Sequence, residues 1–74
     1  MPKLPSVSAR ECVAALEKVG FRLARRSRST HFYMRRDNPF AVVAVPDHNP
    51  IAKGMLRAIN RDAGLTVDEF VKLL

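Results

Sequence analysis

Phe21-Arg22-Leu23-Ala24-Arg25-Arg26, then His31-Phe32-Tyr33-Met34-Arg35, then Phe40-Ala41-Val42-Val43-Ala44-Val45 are the stretches that decide the fold. In the first, Phe21 and Leu23 alternate with Arg22 and Ala24, the period of a strand with one apolar face. The polar run Ser27-Arg28-Ser29-Thr30 interrupts it. The second places Phe32 and Met34 on one face and His31, Tyr33 and Arg35 on the other. Asp37-Asn38-Pro39 reads as a turn, because proline fixes φ and Asx side chains cap turns. The third strand is apolar throughout, so alternation assigns it no faces. Three strands with short connections make an antiparallel meander.

Helical patterns precede and follow these strands along the chain. Ser8-Ala9-Arg10-Glu11 has capping-box spacing, a hydroxyl with a carboxylate three residues on. Cys12, Leu16 and Val19 recur at helical spacing, Val13 and Ala15 broaden the stripe, and Gly20 suits a left-handed cap, so a helix covers about Ala9 to Val19. Beyond the loop Pro46-Asp47-His48-Asn49-Pro50, Leu56, Ile59 and Ala63 form one face of a helix from about Lys53 to Ala63, stopped by Gly64. Thr66-Val67-Asp68-Glu69 repeats the capping box, and Val67, Phe70, Val71 and Leu74 give the stripe of a short last helix. The order is α-β-β-β-α-α, an α+β domain whose three-stranded antiparallel sheet carries its helices on one face. The other face stays open and bears His31, Tyr33 and Arg35.

At 74 residues the expectation is one domain, 1–74. With 47% hydrophobic and 27% charged residues the chain is too apolar for a disordered tail. Its longest apolar run, Phe40 to Val45, is six residues, where a membrane-spanning helix needs about 20. The stretch after Met1 has Pro2, Pro5 and charge in place of the apolar core of a signal peptide. Cys12 is the sole cysteine, which excludes an internal disulfide, a CxxC pair and a cysteine zinc cage, and fits a reducing cytoplasm. No membrane partner is expected.

Thirteen Lys and Arg against seven Asp and Glu give a net charge of +6, which favours a polyanionic partner, nucleic acid first. Arg22, Arg25, Arg26, Arg28, Arg35 and Arg36 lie between Phe21 and Arg36 with no acidic residue among them. The guanidinium fork suits phosphate. The competing readings are a solvated basic face and a surface for an acidic protein.

Catalytic groups are few. There is no Ser/His/Asp hydrolase spacing, no Gly-rich phosphate loop and no motif-positioned carboxylate pair. His31 opens the second strand inside the Arg-rich region. An imidazole takes and gives protons near neutral pH. Beside arginines that hold a phosphodiester, it can deprotonate the adjacent ribose 2′-OH, or instead protonate the departing 5′-oxygen. The arginines would offset charge building on the phosphoryl oxygens. The scheme needs no metal and no cofactor, and it selects RNA, since DNA lacks the internal nucleophile. Against it stands a strand histidine with no role. His48 reads as a turn residue; Asp47, His48 and His31 form a metal site only if the loop folds back, and no HxH or HExxH spacing supports that. Tyr33 is either a base-stacking platform or a half-buried sheet residue. Cys12 reads as a small core residue.

The chain resembles the HicA toxins of bacterial HicA–HicB toxin–antitoxin systems over essentially its whole length. The resemblance rests on Lys3-Leu4-Pro5 with Leu16-Glu17-Lys18-Val19-Gly20-Phe21, on Ser29-Thr30-His31, and on Gly54 to Thr66 followed by Glu69-Phe70. Val45-Pro46 with His48 also looks like the family's exit from the third strand. The resemblance implies a double-stranded-RNA-binding-like α-β-β-β-α fold, metal-independent ribonuclease activity on mRNA with the motif histidine, here His31, as catalytic group, and a HicB-type antitoxin that covers the active surface. Ser29 stands where the family has glycine, exchanging backbone freedom for a hydroxyl. The second helix has only Lys53 near its start, not the dense lysine run with which duplex-RNA-binding domains clamp phosphates.

The expected function is therefore a cytoplasmic endoribonuclease toxin. His31 transfers the proton, Arg25, Arg26, Arg28 and Arg35 position phosphate with Ser29, Thr30 and Lys53 beside them, and Tyr33 stacks a base. The alternatives are a non-catalytic RNA-binding module on the same arginine surface and a purely structural subunit for an acidic protein.

Overall fold

The computed structural model describes residues 4–26 and 31–74. Its elements are α1 (Ala9–Glu17), β1 (Arg22–Arg26), β2 (His31–Asp37), β3 (Phe40–Pro46), α2 (Lys53–Ala63) and α3 (Val67–Lys72). This is the α-β-β-β-α-α order read from the sequence.

The helix ends follow from local chemistry. At α1 the Ser8 hydroxyl accepts from the Glu11 N–H at 3.1 Å and the Glu11 carboxylate accepts from the Ser8 N–H at 3.0 Å. These reciprocal bonds satisfy donors that a helix start leaves orphaned. The helix stops at Glu17, short of Val19, because the Lys18, Val19 and Gly20 amides each bond a carbonyl three residues back. That tighter winding leads into Gly20 at φ +94°, a left-handed conformation that favours glycine. Gly64, at φ +76°, closes α2: its N–H donates to the Arg61 carbonyl at 3.1 Å, and the Leu65 N–H after it donates to that of Asn60. Thr66 and Glu69 repeat the capping box at α3. There the helix ends at Lys72, and Leu74, expected on the apolar stripe, is 45% exposed.

The sheet runs β1-β2-β3, both pairs antiparallel. β2 is longer than its sequence reading: Asp37 pairs with Phe40, so only Asn38 and Pro39 form the turn. Residues directly opposite on antiparallel strands share a face. Met34, Val43 and Val45 point into the helix layer, where they meet Cys12, Leu16, Leu56, Ile59 and Phe70 in one buried cluster. Leu4 and Val7 join it from the N-terminal segment, which lies along the 46–51 loop through bonds from the Ile51 N–H to the Val7 carbonyl and from the Ala9 N–H to that of His48. All helices thus cover one side of the sheet, and the other side is left open.

Candidate nucleic-acid interface

The open face is set by strand register. β2 contributes His31, Tyr33, Arg35 and Asp37; opposite them β3 places Pro46, Ala44, Val42 and Phe40. On β1, Arg22 pairs with Arg35 and Arg25 with Tyr33. The second pairing exists because the β1–β2 register shifts between Leu23 and Arg25. Uninterrupted alternation from Leu23 would turn Arg25 toward the helices and Arg26 outward. The bulge at Ala24 exchanges them.

The arginine cluster therefore divides. Arg22, Arg25 and Arg35 stand on the open face. Arg26 pairs with Phe32 and holds its guanidinium 5.1 Å from that ring, on the helix side. Arg36 lies 4.6 Å over the Phe21 ring, and its Nε donates to the Pro39 carbonyl at 3.0 Å, tying the hairpin turn to the core edge. These two use the cation and its stem for packing. Of the expected phosphate contacts, Arg25 and Arg35 share a face with His31 and Arg26 does not. Arg28, Ser29 and Thr30 lie outside the described residues.

His31 begins β2 and is half-buried, its ring centroid 6.2 Å from that of Tyr33 with the planes 29° apart. Arg25 sits diagonally across the β1–β2 pair from His31. In a regular sheet such neighbours are about 7–8 Å apart, within reach of a long side chain. One end of the open face thus combines an imidazole, a phenol and a guanidinium. Lys53 is exposed in the first turn of α2, in the helix layer rather than on this face.

The far end of the face holds a residue that sequence reading left in a turn. Asp37 accepts from Arg22 Nη1 at 2.7 Å and from Arg35 Nε at 2.8 Å, one arginine on each oxygen. The Arg22 contact foremost, then that of Arg35, holds its carboxyl below the usual aspartate range. Asp37 is the sole acid between residues 21 and 46, which is the signal that marked it. Arg35 also stacks 5.3 Å over the Phe40 ring.

Cys12 is fully buried, and burial pushes its thiol up to about 12, far from a reactive thiolate. The His48 backbone closes the loop, its amide donating to the Pro46 carbonyl at 2.8 Å. Among the described residues no three His, Cys, Asp or Glu side chains gather as a metal site. Nor is any described helix long and apolar enough to cross a membrane.

Helices on one side of a small antiparallel sheet, with an arginine-bearing face carrying aromatic rings on the other, define a small α+β domain of α-β-β-β-α-α order. The family model described as HicA toxin of bacterial toxin-antitoxin matches residues 9–65, from the start of α1 through the end of α2. The chain belongs to that family and is the toxin of a toxin–antitoxin system, with an antitoxin as its partner. Among curated proteins, none matches the chain.

Proposed function

We propose that this toxin is an endoribonuclease that cleaves mRNA in the cytoplasm without a metal ion, and that His31 carries its proton transfer. The observation behind the reading is the half-exposed imidazole on the open face, beside the Tyr33 ring and diagonal to Arg25. With the phosphodiester held by arginine, the ribose 2′-oxygen attacks phosphorus and the bond to the 5′-oxygen breaks. His31 takes the 2′-OH proton, or gives a proton to the leaving 5′-oxygen. A guanidinium beside the phosphoryl oxygens stabilises the charge they gain in the transition state. The nucleophile is supplied by the substrate, so the scheme requires no metal-activated water. Tyr33 offers a platform for a neighbouring base. A HicB-type antitoxin inhibits by covering this face, and an acidic surface would be captured fast by its arginines.

The test is RNA incubated with wild type and His31→Ala in the presence of a chelator. Cleavage by wild type alone, with RNA still bound by the variant, supports the assignment. Equal cleavage by both refutes the histidine's role. RNA bound but left intact by the wild type replaces the enzyme with a binding module.

A further inference from the structure

Arg22 and Arg35 face one another across β1 and β2, and between them they bind both oxygens of one carboxylate, at 2.7 and 2.8 Å. Two guanidiniums converging on one oxyanion is phosphate-binding geometry, here filled by the protein's own Asp37. The cluster is not sealed. The side chains of Arg22, Arg35 and Asp37 are 61%, 47% and 52% exposed, and ion pairs this open are weak enough for a stronger oxyanion to displace. Beside them Phe40 is 65% exposed, a large ring outside the core, and it already carries Arg35 over its face. An aromatic ring next to a cation pair is the element from which single-strand platforms are built.

We infer that Arg22 and Arg35 form a second phosphate subsite for the RNA strand, with Phe40 as its base platform, and that Asp37 occupies this subsite in the free protein as a built-in competitor. The inference rests on the ribonuclease reading and names part of its substrate track. Arg35 lies four residues along β2 from His31, about 14 Å at ~3.4 Å per residue. The subsite therefore takes a nucleotide away from the scissile bond. An RNA strand reaches it by running along β2, and each binding event has to dislodge the carboxylate. Asp37 thus lowers affinity for short or misplaced polyanions while leaving His31 untouched.

The experiment compares Asp37→Asn, which keeps the shape of the side chain, with Glu17→Gln, which makes the same charge change on the exposed side of α1. Binding to a 2′-O-methylated single-stranded oligonucleotide, which lacks the free 2′-OH nucleophile, and to inorganic polyphosphate is measured over a range of salt. Asp37→Asn is expected to tighten both and to steepen the salt dependence of log K by about 0.7–1.4, one or two further phosphates. Glu17→Gln shifts the slope by less, and Arg22→Gln added to Asp37→Asn removes the gain. Phe40→Ala weakens the oligonucleotide and spares polyphosphate. Equal slopes for Asp37→Asn and Glu17→Gln on both probes overturn the subsite and leave the ribonuclease reading intact. A gain on polyphosphate from a protein that ignores the oligonucleotide keeps an oxyanion pair but overturns its assignment to RNA, and the ribonuclease reading with it. An Asp37→Asn protein that binds either probe more weakly makes the carboxylate a support for the arginines and overturns its role as competitor.

Discussion

Asn60 is 2% exposed on the inner side of α2, and neither its Nδ2 nor its Oδ1 has a hydrogen-bond partner among the described residues. Leaving a buried polar group unsatisfied costs about 1–3 kcal/mol. The backbone at this position works independently of the amide, since the Asn60 carbonyl accepts from the Leu65 N–H at 2.8 Å. Asn60→Leu removes the orphaned amide, keeps the branched four-atom skeleton with bulkier methyl ends, and adds an apolar side chain beside Leu56, Ile59 and Ala63. Imperfect fit in the packed core returns up to about 1.5 kcal/mol. The expected net gain is about 1 kcal/mol, against a total stability of about 4–11 kcal/mol for 74 residues. A domain this size gains roughly 4–8 °C in Tm per kcal/mol. Urea titration, read as a higher midpoint at unchanged slope, and thermal melting are the assays. A variant that loses stability by 1 kcal/mol or more refutes the reasoning, because the amide would then have a partner that matters.

Three further outcomes follow from the same geometry. Arg25→Ala should weaken RNA binding and flatten its salt dependence by about 0.7, one phosphate, whereas Arg26→Ala, which strips Phe32 of its cover, should lower the melting temperature with little change in that slope. Phe70 is the fully buried anchor of the six-residue α3, so Phe70→Ala should cost about 3–5 kcal/mol; a variant that melts like wild type would show that α3 does not complete the core. Glu11 and Glu69 are held below the ordinary carboxylate range by the backbone and hydroxyl of Ser8 and Thr66. A lowered folded value stabilises above the unfolded value and is lost as pH falls through the folded one. Acid should therefore lower the urea midpoint of wild type below the ordinary carboxylate range, and a Glu11→Gln/Glu69→Gln protein should respond less steeply; equal slopes would contradict the capping argument.

Much of the fold was legible because its signals are local. The two capping boxes, Gly20 and Gly64 fix helix ends through bonds within a few residues, and the alternation around Met34 fixes one face of the sheet. What escaped depended on pairing. Nothing in Leu23-Ala24-Arg25 announces the bulge that turns Arg25 outward and Arg26 inward, since a register shift is decided between strands. Asp37 read as part of a turn because Asn38-Pro39 follows it, yet its pairing with Phe40 extends the hairpin and delivers the carboxylate to Arg22 and Arg35. Arg36 looked like one more cation in a basic run, and its stacking on Phe21 needed the third dimension. The imidazole of His31 and its place beside Tyr33 and Arg35 on the open face were readable from the alternation of β2; the diagonal Arg25, which depends on the bulge, was not.

The most direct measurement of the central claim is the identity of the RNA ends left by the purified toxin in chelator, beside His31→Ala and a substrate carrying a single 2′-deoxy sugar at the cleaved position. Attack by the 2′-oxygen predicts a 2′,3′-cyclic phosphate and a free 5′-hydroxyl, no cut at the deoxy position, and loss of both products with the imidazole. Cleavage at the deoxy position, or undiminished cleavage without His31, would contradict it.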